Sequence, residues 1–208
     1  MRHIIRYGPR ELDTASLVRR AVMDGGFKHD VETMEAWAGW LKQRHKPEPP
    51  TEAVWLSTYL LEDVLERVQK NPGIVWYHQR AIAEKLEELG GVDVYYSGGR
   101  NPEEATADDG PIALSAAPRS GHTQGKNLQV EWGRNYILSP SSNATLWEQL
   151  LGRTHRPGQP RDTVEAVVYT HTDPLKDAVS RAKADAQAKQ EREGQRQKLL
   201  YADWHLTD

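Results

Sequence analysis

Between Gly73 and Tyr169 short apolar runs alternate with amphipathic stretches, and no other feature constrains the fold as much. Gly73–His78 reads as a strand, Arg80–Leu89 as a helix with Ile82, Leu86 and Leu89 on one face, and Gly90-Gly91 as its stop. Val92–Tyr96 follows as a second strand. Two strands joined by a helix form a βαβ unit, in which the crossover returns the chain to the same end of the sheet and pairing is parallel. Further strands are expected at Pro111–Ser115, Asn135–Ser139 and Thr163–Tyr169, with a helix Thr145–Arg153 entered through Ser141-Ser142-Asn143. Five strands with interleaved helices predict an open, wound α/β sheet, whose ligands are expected on loops beyond the carboxyl ends of the strands.

The flanks are less regular. Residues 1–50 read as a helical appendage or linker, with helices through Asp13–Met23 and Val31–Gln43 and a break at Gly25-Gly26. After the breaker-rich Lys46-Pro47-Glu48-Pro49-Pro50, the residues Val54, Leu61, Leu65 and Val68 recur at helical spacing. They predict a helix of about five turns that stops at Asn71-Pro72-Gly73. From Pro174 to Lys198 the chain is rich in Ala, Gln, Lys, Arg and Glu and nearly devoid of apolar residues past Val179, which predicts a solvated helix. The expected division is 1–50 appendage, 51–173 α/β lobe and 174–208 helical extension, within a length of 208 residues that suits one main core.

Composition narrows the chemistry. With no Cys there is no disulfide and no thiolate nucleophile or ligand, and the eight His are too scattered to suggest a metal site. No apolar run approaches the ~20 residues that span a bilayer, and Met1–Arg6 lacks the apolar core of a secretory signal, so a cytoplasmic setting without a membrane partner is expected. The net charge of −3 is uneven. From Arg119 to Arg161, Arg119, Lys126, Arg134, Arg153, Arg156 and Arg161 face only Glu131 and Glu148, so that segment is positive and the remainder negative.

Within that basic segment lies Gln149-Leu150-Leu151-Gly152-Arg153-Thr154-His155-Arg156-Pro157-Gly158-Gln159. Two arginines three apart project from one side of a helix end, where planar guanidinium groups can reach phosphate oxygens. The same spacing also serves surface ion pairs at a helix carboxyl end. The string as a whole resembles motif VI of superfamily-two helicases, most closely the Gln-x-x-x-Arg-x-His-Arg-x-Gly-Gln form of the Swi/Snf-type DNA translocases. At about 5% per residue type, an accidental match at six fixed positions is improbable by several orders of magnitude.

That resemblance implies the C-terminal, second RecA-like lobe of such a motor, a three-layer α/β sandwich, and it covers about residues 51–200. It implies that Arg156 is an arginine finger and Arg153 its partner, with Gln149 beside them as catalytic residues, and that Gly125, Gly152, Arg153 and Arg156 meet ATP. Ser120–Gln129 occupies the place of motif V, where Gly125, Asn127 and Leu128 match while Thr123 replaces a glycine and Lys126 an apolar residue. Gly73–His78 with its helix resembles motif IV, and Tyr96–Arg100 the short glycine-containing loop after the next strand. Ser97, Gly98, Gly99, Thr123, Gln124, Lys126 and Asn127 are then the expected contacts to a double-stranded DNA backbone. A flexible surface loop is the alternative reading of Ser120–Gln129, and strands and loops such as any α/β protein carries are the alternative for Gly73–His78 and Tyr96–Arg100.

Gly125-Lys126 is no P-loop, because Ser120 and Asn127 stand where that pattern needs a glycine and a hydroxyl residue. Neither a P-loop nor an acidic Asp-Glu box occurs anywhere in the sequence, so nothing here would hold a β-phosphate or Mg²⁺. ATP and Mg²⁺ are therefore expected only in complex with a separate first lobe, from another chain or from a segment outside this sequence, and the chain alone is expected to be inactive. The rival reading is a non-enzymatic module that keeps the RecA-like scaffold to bind nucleic acid or to dock on another machine.

Overall fold

The computed structural model describes residues 15–23, 31–46, 52–117, 120–123, 125–202 and 204–207, of which 15–17, 21 and 204–207 by their backbone alone. The chain divides into two compact units, Met1–Glu52 and Ala53–Asp208. In the first, helix α1 (Ala15–Met23) packs against α2 (Val31–Gln43), where Val18, Thr33 and Trp37 are buried. Trp37 stacks on Trp40 with ring centroids 4.9 Å apart.

The second unit begins its regular structure with α3 (Tyr59–Lys70). That start lies five residues beyond the Val54 that opens the apolar pattern. Val54 and Leu56 are exposed, so no burial draws them into a helix, whereas the Thr58 carbonyl accepts from the N–H groups of Leu61 and Glu62 and closes the first turn. There follow β1 (Ile74–Tyr77), α4 (Arg80–Leu89), β2 (Asp93–Tyr95), two 3₁₀ turns at Pro102–Glu104 and Ala107–Asp109, β3 (Ile112–Ser115) and β4 (Arg134–Ile137). The chain continues through α5 (Ala144–Leu151), β5 (Glu165–Tyr169), α6 (Asp173–Glu193), α7 (Lys198–Tyr201) and β6 (Trp204–Thr207). Gly90 stops α4 at φ 76°, and the Asn143 side chain caps α5 by accepting from the Thr145 N–H at 2.8 Å, as the local residues predict.

All strand pairs are parallel, in the order β2-β3-β1-β4-β5-β6, with Trp76 between Leu114 and Ile137. Successive side chains of the central strand go to opposite faces. Ile74 and Trp76 join Ile112, Leu114, Ile137 and Val168 under α5, α6 and α7, while Val75 and Tyr77 join Ala113, Tyr136 and Tyr169 under α3 and α4. Helices on both faces of an open parallel sheet give the three-layer α/β sandwich expected of a RecA-like lobe.

Two expectations about the tail change. The sheet has a sixth strand, β6, within the 174–208 segment that the sequence predicts to be a helical extension. Gly194, in the left-handed region at φ 69°, ends α6, and the fully buried Leu199 anchors the short α7 that turns the chain back to the sheet. Nor is α6 simply solvated: Val179, Ala182 and Ala186 lie at helical spacing on one stripe and are buried in the core beside α5. Small side chains supply little apolar area each, yet they allow close approach of a helix that looks polar by composition.

The packing of α4 generates a paired expectation. Leu86 is fully buried while Leu89 on the same helix is 39% exposed. Leu86→Ala should lower stability in urea unfolding by about 2–5 kcal/mol, and Leu89→Ala by under about 1 kcal/mol.

Candidate phosphate-facing site

Because β5 lies parallel beside β4, the chain leaving the carboxyl end of β4 must travel back through α5 before β5 can start. The residues Gly152–Gln159 that follow α5 therefore lie at the amino ends of β4 and β5, not beyond the carboxyl ends where the sequence placed the chemistry. Gln159 confirms the location by donating to the carbonyl of Trp132, two residues before β4, at 2.9 Å.

Several positions of the Gln149–Gln159 string hold this loop in shape. A Cβ on Gly152 would lie 2.7 Å from the Glu148 carbonyl oxygen, so only glycine fits the end of α5. Thr154 is fully buried, and its hydroxyl accepts from Asn135 Nδ2 at 2.9 Å. Asn135, itself fully buried in β4, accepts from Trp76 Nε1 at 3.0 Å and donates to the Glu165 carbonyl at 3.2 Å. Gln159 also donates to the Thr154 carbonyl at 3.0 Å. Gly152, Thr154 and Gln159 thus serve the loop's geometry.

The remaining two conspicuous residues serve its charge. Arg153 Nε donates to the Gln149 carbonyl at 3.0 Å, and Arg153 Nη1 donates to the Lys126 carbonyl at 3.0 Å. Arg156 Nη1 donates to that same carbonyl at 3.4 Å. Gln149 contributes its backbone oxygen here. Among the described residues neither guanidinium forms an ion pair with a carboxylate. Burial, and then the Arg156 charge, pull the Arg153 pKa below its ordinary value, with Glu103 acting the other way. Beside Arg156 an open groove of about 430 Å³ is lined by His155, Arg161 and Lys198, with Asp162 the acid among them.

The loop from Ser115 to Arg134 crosses from the carboxyl end of β3 to the amino end of β4 and so touches both edges of the sheet. At its start Ser120 Oγ donates to the Ser115 carbonyl at 2.8 Å, and His122 Nδ1 accepts from the Ser115 N–H at 3.2 Å. His122 is 4% exposed, and burial first, then the Lys126 charge, depress its pKa. Thr123 is fully buried, its hydroxyl without a hydrogen-bond partner among the described residues, so it does not face a DNA strand as expected. Gln124 lies outside the described residues. Gly125 turns the chain at φ 69° and is exposed, as is Asn127.

Lys126 departs from expectation as well. Its ammonium donates to Asn101 Oδ1 at 2.7 Å and lies 3.7 Å from Glu103 Oε2, while the Asn127 N–H donates to Glu103 Oε1 at 2.7 Å. The donors assigned to phosphates are already engaged within the chain. Ser97, Gly98 and Gly99 are exposed beyond the carboxyl end of β2, where Ser97 Oγ donates to the Ser120 carbonyl at 3.4 Å. The expected residues therefore form two groups: Ser97–Gly99 with the start of the long loop at one edge, and Lys126, Asn127, Gly152, Arg153 and Arg156 at the other.

Sequence reasoning missed Asn101, Glu103 and Asn135. Asn135 carried a signal, being a polar residue inside an apolar strand run. Glu103 carried none, since Glu103-Glu104 looks like any solvated acidic pair. No cluster of three His, Asp or Glu able to hold a metal occurs among the described residues, and no described helix is long and apolar enough to cross a membrane.

Two expectations follow from this geometry. Asn135→Ala leaves Trp76 Nε1 buried without its acceptor and the Thr154 hydroxyl with only its 3.3 Å bond to the Leu151 carbonyl, and should lower stability by about 2–4 kcal/mol in denaturant unfolding, against under about 1 kcal/mol for the exposed Asn127→Ala. For His122 the folded pKa lies below the unfolded value of about 6.5, so the unfolded chain binds more protons and stability falls as pH drops through that value. His122→Asn, which keeps an acceptor for the Ser115 N–H, should flatten stability between about pH 7.5 and 5.5; an unchanged slope would remove His122 as its source.

No family model matches the chain, and no curated protein matches it. Among solved structures it is similar to the crystal structure of the C-terminal part of the Fun30 ATPase domain, at 15% identity and a TM-score of 0.49. The match covers 82% of this chain and 61% of that one, so the chain spans less than two thirds of that structure's length.

Proposed function

We propose that this chain is the second lobe of a Swi/Snf-like DNA translocase, completing an ATP site whose P-loop and Mg²⁺-binding acids belong to a first lobe outside this sequence, and binding the DNA backbone. The observation that carries the reading is the guanidinium pair of Arg153 and Arg156, held on one carbonyl with no carboxylate to neutralise it among the described residues. Two adjacent cations without a carboxylate partner among the described residues favour an incoming anion of high charge, and a triphosphate is such an anion. The Gln149–Gln159 string supplies the specific identity.

The two arginines divide the work. Arg153 is half buried and fixed by two hydrogen bonds of 3.0 Å, which suits a positioning charge. Arg156 is exposed and tied only by a 3.4 Å bond, so it can exchange the Lys126 carbonyl for a γ-phosphate oxygen at little cost. During transfer of the phosphoryl group to water, charge develops on the equatorial oxygens, and a planar guanidinium stabilises it. Exposed Ser97, Gly98 and Gly99 face a nucleic-acid backbone at the opposite edge of the sheet, where the Ser97 hydroxyl would exchange its 3.4 Å bond to the Ser120 carbonyl for a phosphate oxygen. ATP turnover alone is not expected of this chain.

Mixed with a cognate first lobe and DNA, the chain should support ATP hydrolysis that Arg156→Ala lowers by about 10³–10⁵-fold, equivalent to roughly 4–7 kcal/mol of transition-state stabilisation. Arg156→Lys should recover little, because an ammonium lacks the planar fork. Turnover indifferent to Arg156 would defeat the finger role, and DNA affinity without turnover beside any first lobe would favour the binding-module reading.

A further inference from the structure

The Lys126–Asn127 segment that carries the shared carbonyl also holds a carboxylate, Glu103 from the turn before β3, where a phosphate is expected. Asn101 caps the 3₁₀ turn Pro102–Glu104, which buried Pro102 and Ala105 anchor to the core, so the turn presents Glu103 in a fixed place. Its two oxygens are split between two donors: Oε1 accepts the Asn127 N–H at 2.7 Å and Oε2 faces the Lys126 ammonium at 3.7 Å. A backbone N–H and an ammonium meeting two oxygens of one anion is the contact pattern a phosphate group makes with a loop. Lys126 and Glu103 side chains remain 27% and 30% exposed, so the pair can open to solvent.

Resting on the functional reading above, we infer that Glu103 is a built-in occupant of a phosphate position, an internal counter-ion that a phosphate group of a nucleotide or of a nucleic acid must displace to engage Lys126 and Asn127. The Lys126 carbonyl is the acceptor for both Arg153 and Arg156, so displacement at the side chain of Lys126 also shifts the oxygen on which the guanidinium pair rests. Occupancy of one half of the site is then felt by the other. Glu103 is also the acid whose charge reaches Arg153, consistent with its place beside the pair. The carboxylate thus keeps the cationic edge quiet until a stronger, more highly charged anion arrives.

The test uses the full chain and Glu103→Gln, which keeps an oxygen for the Asn127 N–H but removes the charge. Binding of inorganic triphosphate and of a short random-sequence DNA duplex is measured in parallel at one ionic strength, with Glu104→Gln as the control for net charge. Glu103→Gln should tighten binding of at least one probe by about tenfold, and that probe identifies the source of the phosphate, whereas Glu104→Gln should change either by less than about twofold. Equal effects of the two substitutions, or weaker binding by Glu103→Gln with unchanged thermal unfolding, overturn the inference. If wild-type binding is lost in Arg156→Ala yet Glu103→Gln gains nothing, the counter-ion falls while the functional reading stands. If no variant binds either probe, both fall.

Discussion

One fully buried amide ties the sheet to the loop that matters. Asn135 sits in the middle of β4, accepting from the Trp76 indole on β1, donating to the Glu165 carbonyl on β5 and to the Thr154 hydroxyl between the two arginines. A polar group at that depth is tolerable only when its hydrogen bonds are made, and here each bond is to a different element. The net gain from such a network is small, but the penalty for any shifted arrangement is large, because several buried groups lose partners together. The position of Arg153 and Arg156 relative to the strands is therefore inherited from the core rather than from the loop's own stiffness.

Held in this way, the arginines create an electrostatic imbalance that the fold does not relieve. Arg134 answers Glu165 through two bonds of 2.8 Å, and Lys198 answers Glu148 at 3.3 Å. Arg153 and Arg156 instead share a carbonyl dipole, which orients two positive charges without cancelling them. Burial of Arg153 raises the cost of that arrangement and the reward for any anion that ends it. Glu103 is near enough to temper the field but spends its oxygens on Lys126 and Asn127.

Local patterns made much of this legible. The strand, helix and glycine stop at residues 73–91 follow from periodicity and turn chemistry over a few neighbours, and α5 follows from its Asn143 cap. The Gln149–Gln159 string announces its arginines, yet not the end of the sheet on which they lie: that depends on β4 and β5 pairing in parallel, a relation between segments some 30 residues apart. Glu103 and Asn127 meet across 24 residues with no periodic signal at either. The buried face of α6 was hidden because alanines register as helix formers rather than as core, and β6 because it follows a polar helix.

Besides the crossover helices, the loop from Ser115 to Arg134 links the two edges of the sheet. The segment from Ser115 begins at the carboxyl edge, where His122 accepts the last N–H of β3 and Ser97 leans on Ser120, and it ends at the amino edge under the guanidinium pair. Between them Gly121 and Gly125 both hold left-handed conformations, which glycine adopts freely. On the proposed function, a track at Ser97–Gly99 and a phosphate at Arg156 would meet the two ends of this one loop, so relating them would need no rearrangement of the sheet.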